Sequence, residues 1–172
     1  MRQDDIHSAI YPAPGLTLYH SSSLSHLTTP SWQGFFNMTT LDTQPRYIYK
    51  IVPSSSPVRE PLPERLLVSE LDQESGFVHL SMAHQVANTL NIFFKEEPLV
   101  YILRIEYATV ISDIRWESPD GKVCGPRPGE GLFPHLYNGL KLGKDEIESI
   151  AIWQNEGGWE KALNGAKPWL VN

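Results

Sequence analysis

The pattern of apolar and polar residues along the chain predicts several short strands. Residues 47–52 are mostly β-branched or aromatic and precede Pro53, so we expect a strand there. Residues 99–105 are nearly all apolar, which predicts a central strand covered on both faces. Residues 76–80 predict a further strand, and a last one is expected to end at Trp153.

Helical periodicity is weaker and is confined to a few segments. Ser81 is a good N-cap, and the residues after it have an i, i+4, i+8, i+11 apolar face made of Met82, Val86, Leu90 and Phe93. A short C-terminal helix containing Trp159 and Leu163 is expected to end near Gly165. Because strands outnumber helices and the two do not alternate regularly, the predicted fold class is α+β.

The N-terminal segment, residues 1–46, has no sustained periodicity and contains the run Ser21-Ser22-Ser23. We expect a disordered or loosely packed arm, or one that docks through Trp32, Phe35 and Phe36. Residues 47–172 are expected to form a single domain. Met38 is a second candidate for the start of translation.

Composition excludes several classes of protein. The chain has 172 residues, a net charge of −6 and one cysteine, Cys124. A nucleic-acid-binding surface needs clustered Lys and Arg, and a multi-cysteine zinc site needs more cysteines. No apolar run approaches the length of a membrane span, roughly 18 residues. We therefore expect a cytoplasmic protein without nucleic-acid or membrane partners; the oligomeric state is not predictable.

His79 and Ser81 form the first group of residues that could carry chemistry. They lie between the end of a predicted strand and the start of the predicted helix, where free backbone N–H groups favour an anion. His79 is a candidate catalytic residue and Ser81 a candidate substrate-binding residue. The alternatives are that His79 is a hydrogen-bonded core histidine and that Ser81 is only a cap.

Arg115, Glu117, His135 and Tyr137 form the second and third groups. On a strand, Arg115 and Glu117 point to one face, where the guanidinium can bind an anion and the carboxylate can act as acid or base. His135 and Tyr137 share a side if residues 133–137 are extended. The alternatives are a surface salt bridge and a packed loop.

Metal and cysteine chemistry are both less favoured. The possible ligands His79, His84, His135 and Glu117 show no ligand pair at helical i, i+4 spacing, so no metal site is expected. Cys124 lies near Lys122 and Arg127, which could lower its pKa, but it has no histidine partner in the sequence. Residues 118–131, rich in proline and glycine, predict a mobile loop or lid.

Together these motifs resemble the DUF952 family. The landmarks occur in the family's order over roughly residues 47–153: Tyr49-Lys50-Ile51, Gly76-Phe77-Val78-His79-Leu80-Ser81, Arg115-Trp116-Glu117 and Phe133-Pro134-His135-Leu136-Tyr137. The chain departs from the family at Ser75, where aspartate is usual, and in its proline-rich segment before Gly76.

The resemblance implies an ADP-ribosyltransferase-like fold, a split mixed sheet around a cleft, with a few short helices. His79, Ser81, Arg115, Glu117, His135 and Tyr137 would line or lie near that cleft. The preferred hypothesis is a metal-independent enzyme acting on a small metabolite by cyclisation, isomerisation or hydrolysis. A tailoring step in a biosynthetic pathway is compatible with this hypothesis. The alternatives are an NAD-dependent ADP-ribosyl- or phosphotransferase and a non-catalytic module that binds a nucleotide or acidic metabolite. The residues require no cofactor, and NAD is compatible with them.

Overall fold

The structure is a computed structural model that describes residues 44–172. The predictions for residues 1–46 therefore fall outside the described residues, apart from residues 44–46. The domain that follows is α+β, as predicted, and its first strand begins at Tyr47.

The strands of the described residues form two sheets in which every pairing is antiparallel. The expected mixed sheet is therefore not what the strand pairings show. The three-stranded sheet has the order β1-β3-β7 and comprises β1 (Tyr47–Pro53), β3 (Leu99–Glu106) and β7 (Ile147–Gln154). The four-stranded sheet has the order β2-β6-β4-β5 and comprises β2 (Val78–His79), β4 (Ile114–Glu117), β5 (Cys124–Gly125) and β6 (Phe133–Leu136).

The helices are short. They are α1 (Glu70–Ser75), α2 (Ala83–Phe93), α3 (Tyr107–Val110) and α4 (Glu160–Ala166), with a 3₁₀ turn at Ile111–Asp113. α2, the longest of them, has 11 residues, and no helix within residues 44–172 is long and apolar enough to cross a membrane.

The hydrophobic core has two parts, one on each face of the three-stranded sheet. Leu103 and Ile105 of β3 pack towards the four-stranded sheet, whereas Val100 and Ile102 pack towards α2 and α4. All four side chains are fully buried. The prediction of a central strand covered on both faces is confirmed, because β3 lies between β1 and β7 and has a core on either side.

Within residues 44–172, the backbones of the two sheets are joined at a single residue pair. The backbones of Tyr49 and Ser81 exchange two hydrogen bonds of 2.8 Å, which form an isolated antiparallel bridge between β1 and the chain that follows β2. Ser81 is therefore extended and does not cap α2. The N-cap is Met82, whose backbone N–H donates to the side chain of Gln85 at 2.9 Å.

The end of α2 differs from the sequence prediction, whereas the end of α4 agrees with it. Val86 and Leu90 are fully buried as expected, but Phe93 is 41% exposed and Phe94 packs on the core in its place. α4 ends at Ala166, one residue after Gly165, and the Leu170 N–H donates to the carbonyl of Ala166 at 2.7 Å in the turn that follows.

The proline-rich segment before α1 is held by the turn that precedes β7. The Leu66 N–H donates to the carbonyl of Leu142 at 2.7 Å, and the Lys144 N–H donates to that of Pro63 at 2.9 Å. Between these bonds the segment runs directly over Gly143, where a Cβ atom would collide with the carbonyl group of Glu64. Only glycine allows this approach.

We expect Gly143→Ala to destabilise the domain by about 1–3 kcal/mol, because both backbone segments must move apart. The control is Gly165→Ala, since a Cβ at Gly165 meets nothing within 4 Å. A helical glycine-to-alanine change in open space stabilises by about 0.5–1 kcal/mol. Urea unfolding of both variants measures the difference, and equal stabilities would contradict the close approach.

Candidate functional site

The candidate site lies on the face of the four-stranded sheet that points away from the core. Val78, Trp116 and Leu136 occupy the core face, so the residues that alternate with them point to the other face. His79 pairs directly with His135, which in turn pairs with Arg115. The structure thus brings together Phe77, His79, Arg115, Glu117, Cys124, His135 and Tyr137.

Glu117 is the centre of one half of the site. Its side chain is only 4% exposed, and one carboxylate oxygen accepts from His135 Nδ1 at 3.0 Å and from the Tyr137 hydroxyl at 2.8 Å. The other oxygen accepts from Cys124 Sγ at 3.3 Å. Burial by itself raises the pKa of Glu117, but the hydrogen bonds from Tyr137, His135 and Cys124 outweigh it and hold that pKa below its ordinary value. Glu117 is therefore a carboxylate at neutral pH.

This carboxylate fixes the proton of the His135 ring. Burial lowers the pKa of His135 to about 4, against the opposing effect of Glu117, so the imidazole is neutral at pH 7. A neutral ring beside a carboxylate acceptor must place its proton on Nδ1. Nε2 then keeps its lone pair and can accept a proton. Phe77 stacks on the ring at a centroid distance of 4.2 Å and holds its plane.

Asp72 is the centre of the other half. It lies on α1, is fully buried, and accepts from both His79 Nδ1 at 2.9 Å and the His79 backbone N–H at 3.0 Å. Its second oxygen lies 2.5 Å from Nζ of Lys50. Burial by itself raises the pKa of Asp72. The hydrogen bonds from His79 and the charge of Lys50 outweigh this effect and hold the pKa of Asp72 well below its usual range. Asp72 thus orients the His79 ring as Glu117 orients that of His135.

Asp72 and Lys50 were not among the site residues predicted from the sequence, although Lys50 lies in the Tyr49-Lys50-Ile51 landmark. The one signal was a lysine inside the otherwise apolar 47–52 strand, which is unusual for a buried position. Asp72 comes 22 residues later along the chain, and no spacing rule connects the two.

The two imidazoles face each other. Their ring centroids are 5.0 Å apart in an edge-to-face arrangement, and Phe77 contacts both rings. The His79 side chain is 24% exposed, whereas that of His135 is 1% exposed. A small molecule that reaches the pair from solvent therefore meets His79 first.

Arg115 adds a positive charge to the exposed border of this site. Its guanidinium carbon lies 4.0 Å from the centroid of the Tyr137 ring, a cation–π contact, and the residue is exposed. The surface salt bridge considered as an alternative is not formed, since Arg115 makes no ion pair with Glu117 or any other described acid. The donors of the guanidinium remain available to an anionic group.

Ser81 is the predicted site residue that the structure does not bring into this cluster. It is buried, and its hydroxyl lies 3.5 Å from that of Thr89 on α2. No hydrogen bond links it to the histidines or to Glu117. The backbone of Ser81 instead joins the two sheets through Tyr49.

The segment at residues 118–131 is partly a strand. β5 pairs Cys124 with Glu117 and Gly125 with Trp116. Hydrogen bonding to the Glu117 carboxylate raises the pKa of the Cys124 thiol, so the expectation that Lys122 and Arg127 would lower it is wrong. The thiol is consequently a poor nucleophile.

Within residues 44–172, no group of three or more His, Cys, Asp and Glu side chains is placed to hold a metal ion. His84 is exposed on α2 and makes no contact with His79 or His135.

The sequence profile of a family described as "Protein of unknown function (DUF952)" matches residues 60–150. The chain belongs to this family. The match covers the histidines, Arg115 and Glu117, but it begins after Lys50. The resemblance noted from the sequence motifs is confirmed.

Among solved structures, the DUF952 chain is similar to the crystal structure of protein CC0527 from Caulobacter crescentus. The two chains are 24% identical with a TM-score of 0.52, and the match covers 69% of this chain and 98% of that one. A double mutant of CC0527 gives a TM-score of 0.51 at the same identity and coverage. Similarity at this level shows the fold alone. A comparison with curated proteins finds no match.

The lowered pKa of His135 predicts that the stability of the domain depends on pH. The folded state holds this pKa at about 4, whereas an unfolded histidine titrates near 6.5. As the pH falls below 6.5, the unfolded chain takes up a proton that the folded chain does not. Folding free energy is thus lost between pH 6.5 and about 4, and above pH 6.5 the effect is absent.

We expect the domain to lose about 2 kcal/mol through this residue between pH 7.5 and 5.0, and His135→Asn to remove that loss. Asparagine keeps a donor for Glu117 but does not titrate. His84→Asn is the control, because His84 is exposed and should retain the loss. Urea unfolding of the three proteins at both pH values measures the change in the free energy of unfolding. If His135→Asn shows the same change as the wild type, the His135 ring does not have a lowered pKa.

Proposed function

We propose that residues 47–172 form an acid–base enzyme acting on a small molecule, through a reaction of the cyclisation, isomerisation or hydrolysis type. The observation that supports this most is the pair of imidazoles with ring centroids 5.0 Å apart, each bound through Nδ1 to its own buried carboxylate. A carboxylate that fixes the tautomer of a histidine is a common device for preparing Nε2 for proton transfer.

In this proposal the two histidines share the proton transfers. His135, neutral at pH 7 with a free Nε2 lone pair, is the base. His79, the more exposed ring, returns a proton to a neighbouring atom of the substrate. Rings this close can act on adjacent atoms of one molecule, which is the geometry that proton transfer and ring closure require.

Glu117 and Arg115 have supporting roles. Glu117 acts through His135 and is a positioning residue, because its oxygens are occupied by His135, Tyr137 and Cys124. Arg115 binds an anionic group of the substrate or stabilises negative charge that develops on it. Tyr137 donates its hydroxyl proton to Glu117 and supports the Arg115 guanidinium with its ring. Its pKa, raised to about 12 by burial and by Glu117, makes it a poor acid.

A second candidate function is NAD-dependent transfer of an ADP-ribosyl or phosphoryl group. It is favoured by the grouping of His79, Glu117 and Tyr137 on one face of the four-stranded sheet, in a domain whose strands form two separate sheets. Incubation with NAD and detection of free nicotinamide tests it. Nicotinamide release that Glu117→Gln abolishes would favour this function over the first.

We expect the purified protein to convert at least one compound in a small-molecule extract of the cells from which the gene comes. His79→Asn and His135→Asn should each slow that conversion by about 10²–10⁴-fold, because each removes a proton-transfer group. Mass spectrometry of the extract before and after incubation measures the conversion.

The control for this experiment is His84→Asn, an exposed histidine outside the site, which should keep the wild-type rate. Circular dichroism confirms that each variant is folded. Full activity in folded His79→Asn and His135→Asn would refute the acid–base roles. An extract that the wild-type protein leaves unchanged, combined with a thermal shift on adding ADP-ribose or NAD, would instead indicate a binding module.

A further inference from the structure

Lys50 occupies an unusual position for a charged residue. It lies in the middle of β1, and its neighbours Tyr49 and Ile51 pack into the core beneath α2. Lys50 points to the opposite face and is 9% exposed. Burial lowers the pKa of its ammonium group, while Asp72 opposes that effect. Removing two charges from water is costly, and an apolar pair of similar size often stabilises a fold equally well. Stability alone therefore does not account for the pair.

Asp72 connects Lys50 to the candidate site. One carboxylate oxygen contacts Lys50 Nζ at 2.5 Å, and the other accepts from the ring and the backbone of His79. The carboxylate is thus shared between an ammonium on the three-stranded sheet and an imidazole on the four-stranded sheet. Without Lys50, the nearest charge to His79 would be an unneutralised, buried carboxylate, which favours the imidazolium form.

We propose that Lys50 is a positioning residue of the site: it offsets the charge of Asp72, so that Asp72 holds the His79 ring through Nδ1 without locking the ring as the imidazolium, and Nε2 can both take up and release a proton. This inference rests on the proposed function, in which Nε2 of His79 takes part in proton transfer. It assigns to a buried lysine outside the profile match a role in setting the charge of the exposed histidine.

The other titratable groups on the face that carries His79 are left unsubstituted in variants of Lys50 and Asp72. They are His135 on β6, Tyr137 directly after it, Glu117 and Arg115 on β4, and Cys124 on β5. Of these, His135 contacts the His79 ring directly. A change in the titration of His79 on substituting Lys50 or Asp72 can therefore be attributed to the Lys50–Asp72 pair.

The experiment is an NMR titration of the histidine rings in the full-length protein, with the His79 signals assigned from their loss in His79→Asn. We expect Lys50→Met to move the His79 titration midpoint to higher pH by about one unit, because the Asp72 charge is no longer offset. Asp72→Asn should move it to lower pH, because the ammonium stays and the acceptor charge is lost. The double variant Lys50→Met/Asp72→Asn should titrate close to wild type.

The double variant keeps the test interpretable if the Asp72→Asn protein does not fold. Asp72→Asn leaves a buried ammonium unpaired and is the variant most at risk of unfolding, whereas the double variant is neutral at both positions. Lys161→Met on α4 is the matched control, since it removes a lysine whose partner is Glu156 and should leave His79 unchanged. A folded Lys50→Met protein with an unshifted His79 titration would overturn the proposal, and so would an equal shift in Lys161→Met.

The titration also separates this proposal from the proposed function, because it needs no substrate. Opposite shifts in the two single variants, together with full turnover in His79→Asn, would support the charge coupling and refute catalysis by His79. Where a converted compound has been found in the extract, the alkaline limb of its kcat/KM profile should move with the His79 midpoint in Lys50→Met, because His79 must be protonated to donate. A purely structural role for Lys50 would lower stability without moving that limb.

Discussion

The buried carboxylate of Asp72 is the interaction on which the arrangement of the site depends. It draws Lys50 of β1 and His79 of β2 to the same point, next to the Tyr49–Ser81 bridge that joins the two sheets. A fully buried carboxylate is tolerated only when its oxygens are occupied, and here they are occupied by groups from both sheets. Loss of Lys50 or of Asp72 leaves a buried charge unpaired, so this pair helps to hold the two sheets and the histidine together.

The two faces of the four-stranded sheet carry different residues: one face packs in the core and the other carries the candidate site. Val78, Trp116 and Leu136 fill the core on one face, while His79, Glu117 and His135 alternate with them on the other. Because the side-chain period of a strand is two, neither set can shift by one residue without exchanging the faces. The apolar packing therefore fixes the register that places the imidazoles opposite each other.

The same motif occurs twice in this site with different surroundings. Each histidine hydrogen-bonds a carboxylate through Nδ1. Asp72 also pairs with the ammonium group of Lys50, whereas Glu117 accepts from the hydroxyl of Tyr137 and the thiol of Cys124. One ring is nearly sealed from solvent and the other is a quarter exposed. Such a difference in environment is what gives two chemically identical groups separate roles.

The sequence by itself determined the α+β class, the central strand, the family, and the placement of Arg115 with Glu117 on one face, because alternation and motif order are local properties of the chain. It also favoured the grouping of His79 with His135, which their direct pairing across β2 and β6 brings about. Only the tertiary structure decided that Asp72 and Lys50 complete the His79 half and that β5 brings Cys124 to Glu117. It also decided that Ser81 joins the sheets and does not cap α2. These contacts depend on which buried charges find partners once the two sheets meet, and the spacing of residues along a chain carries no information about that.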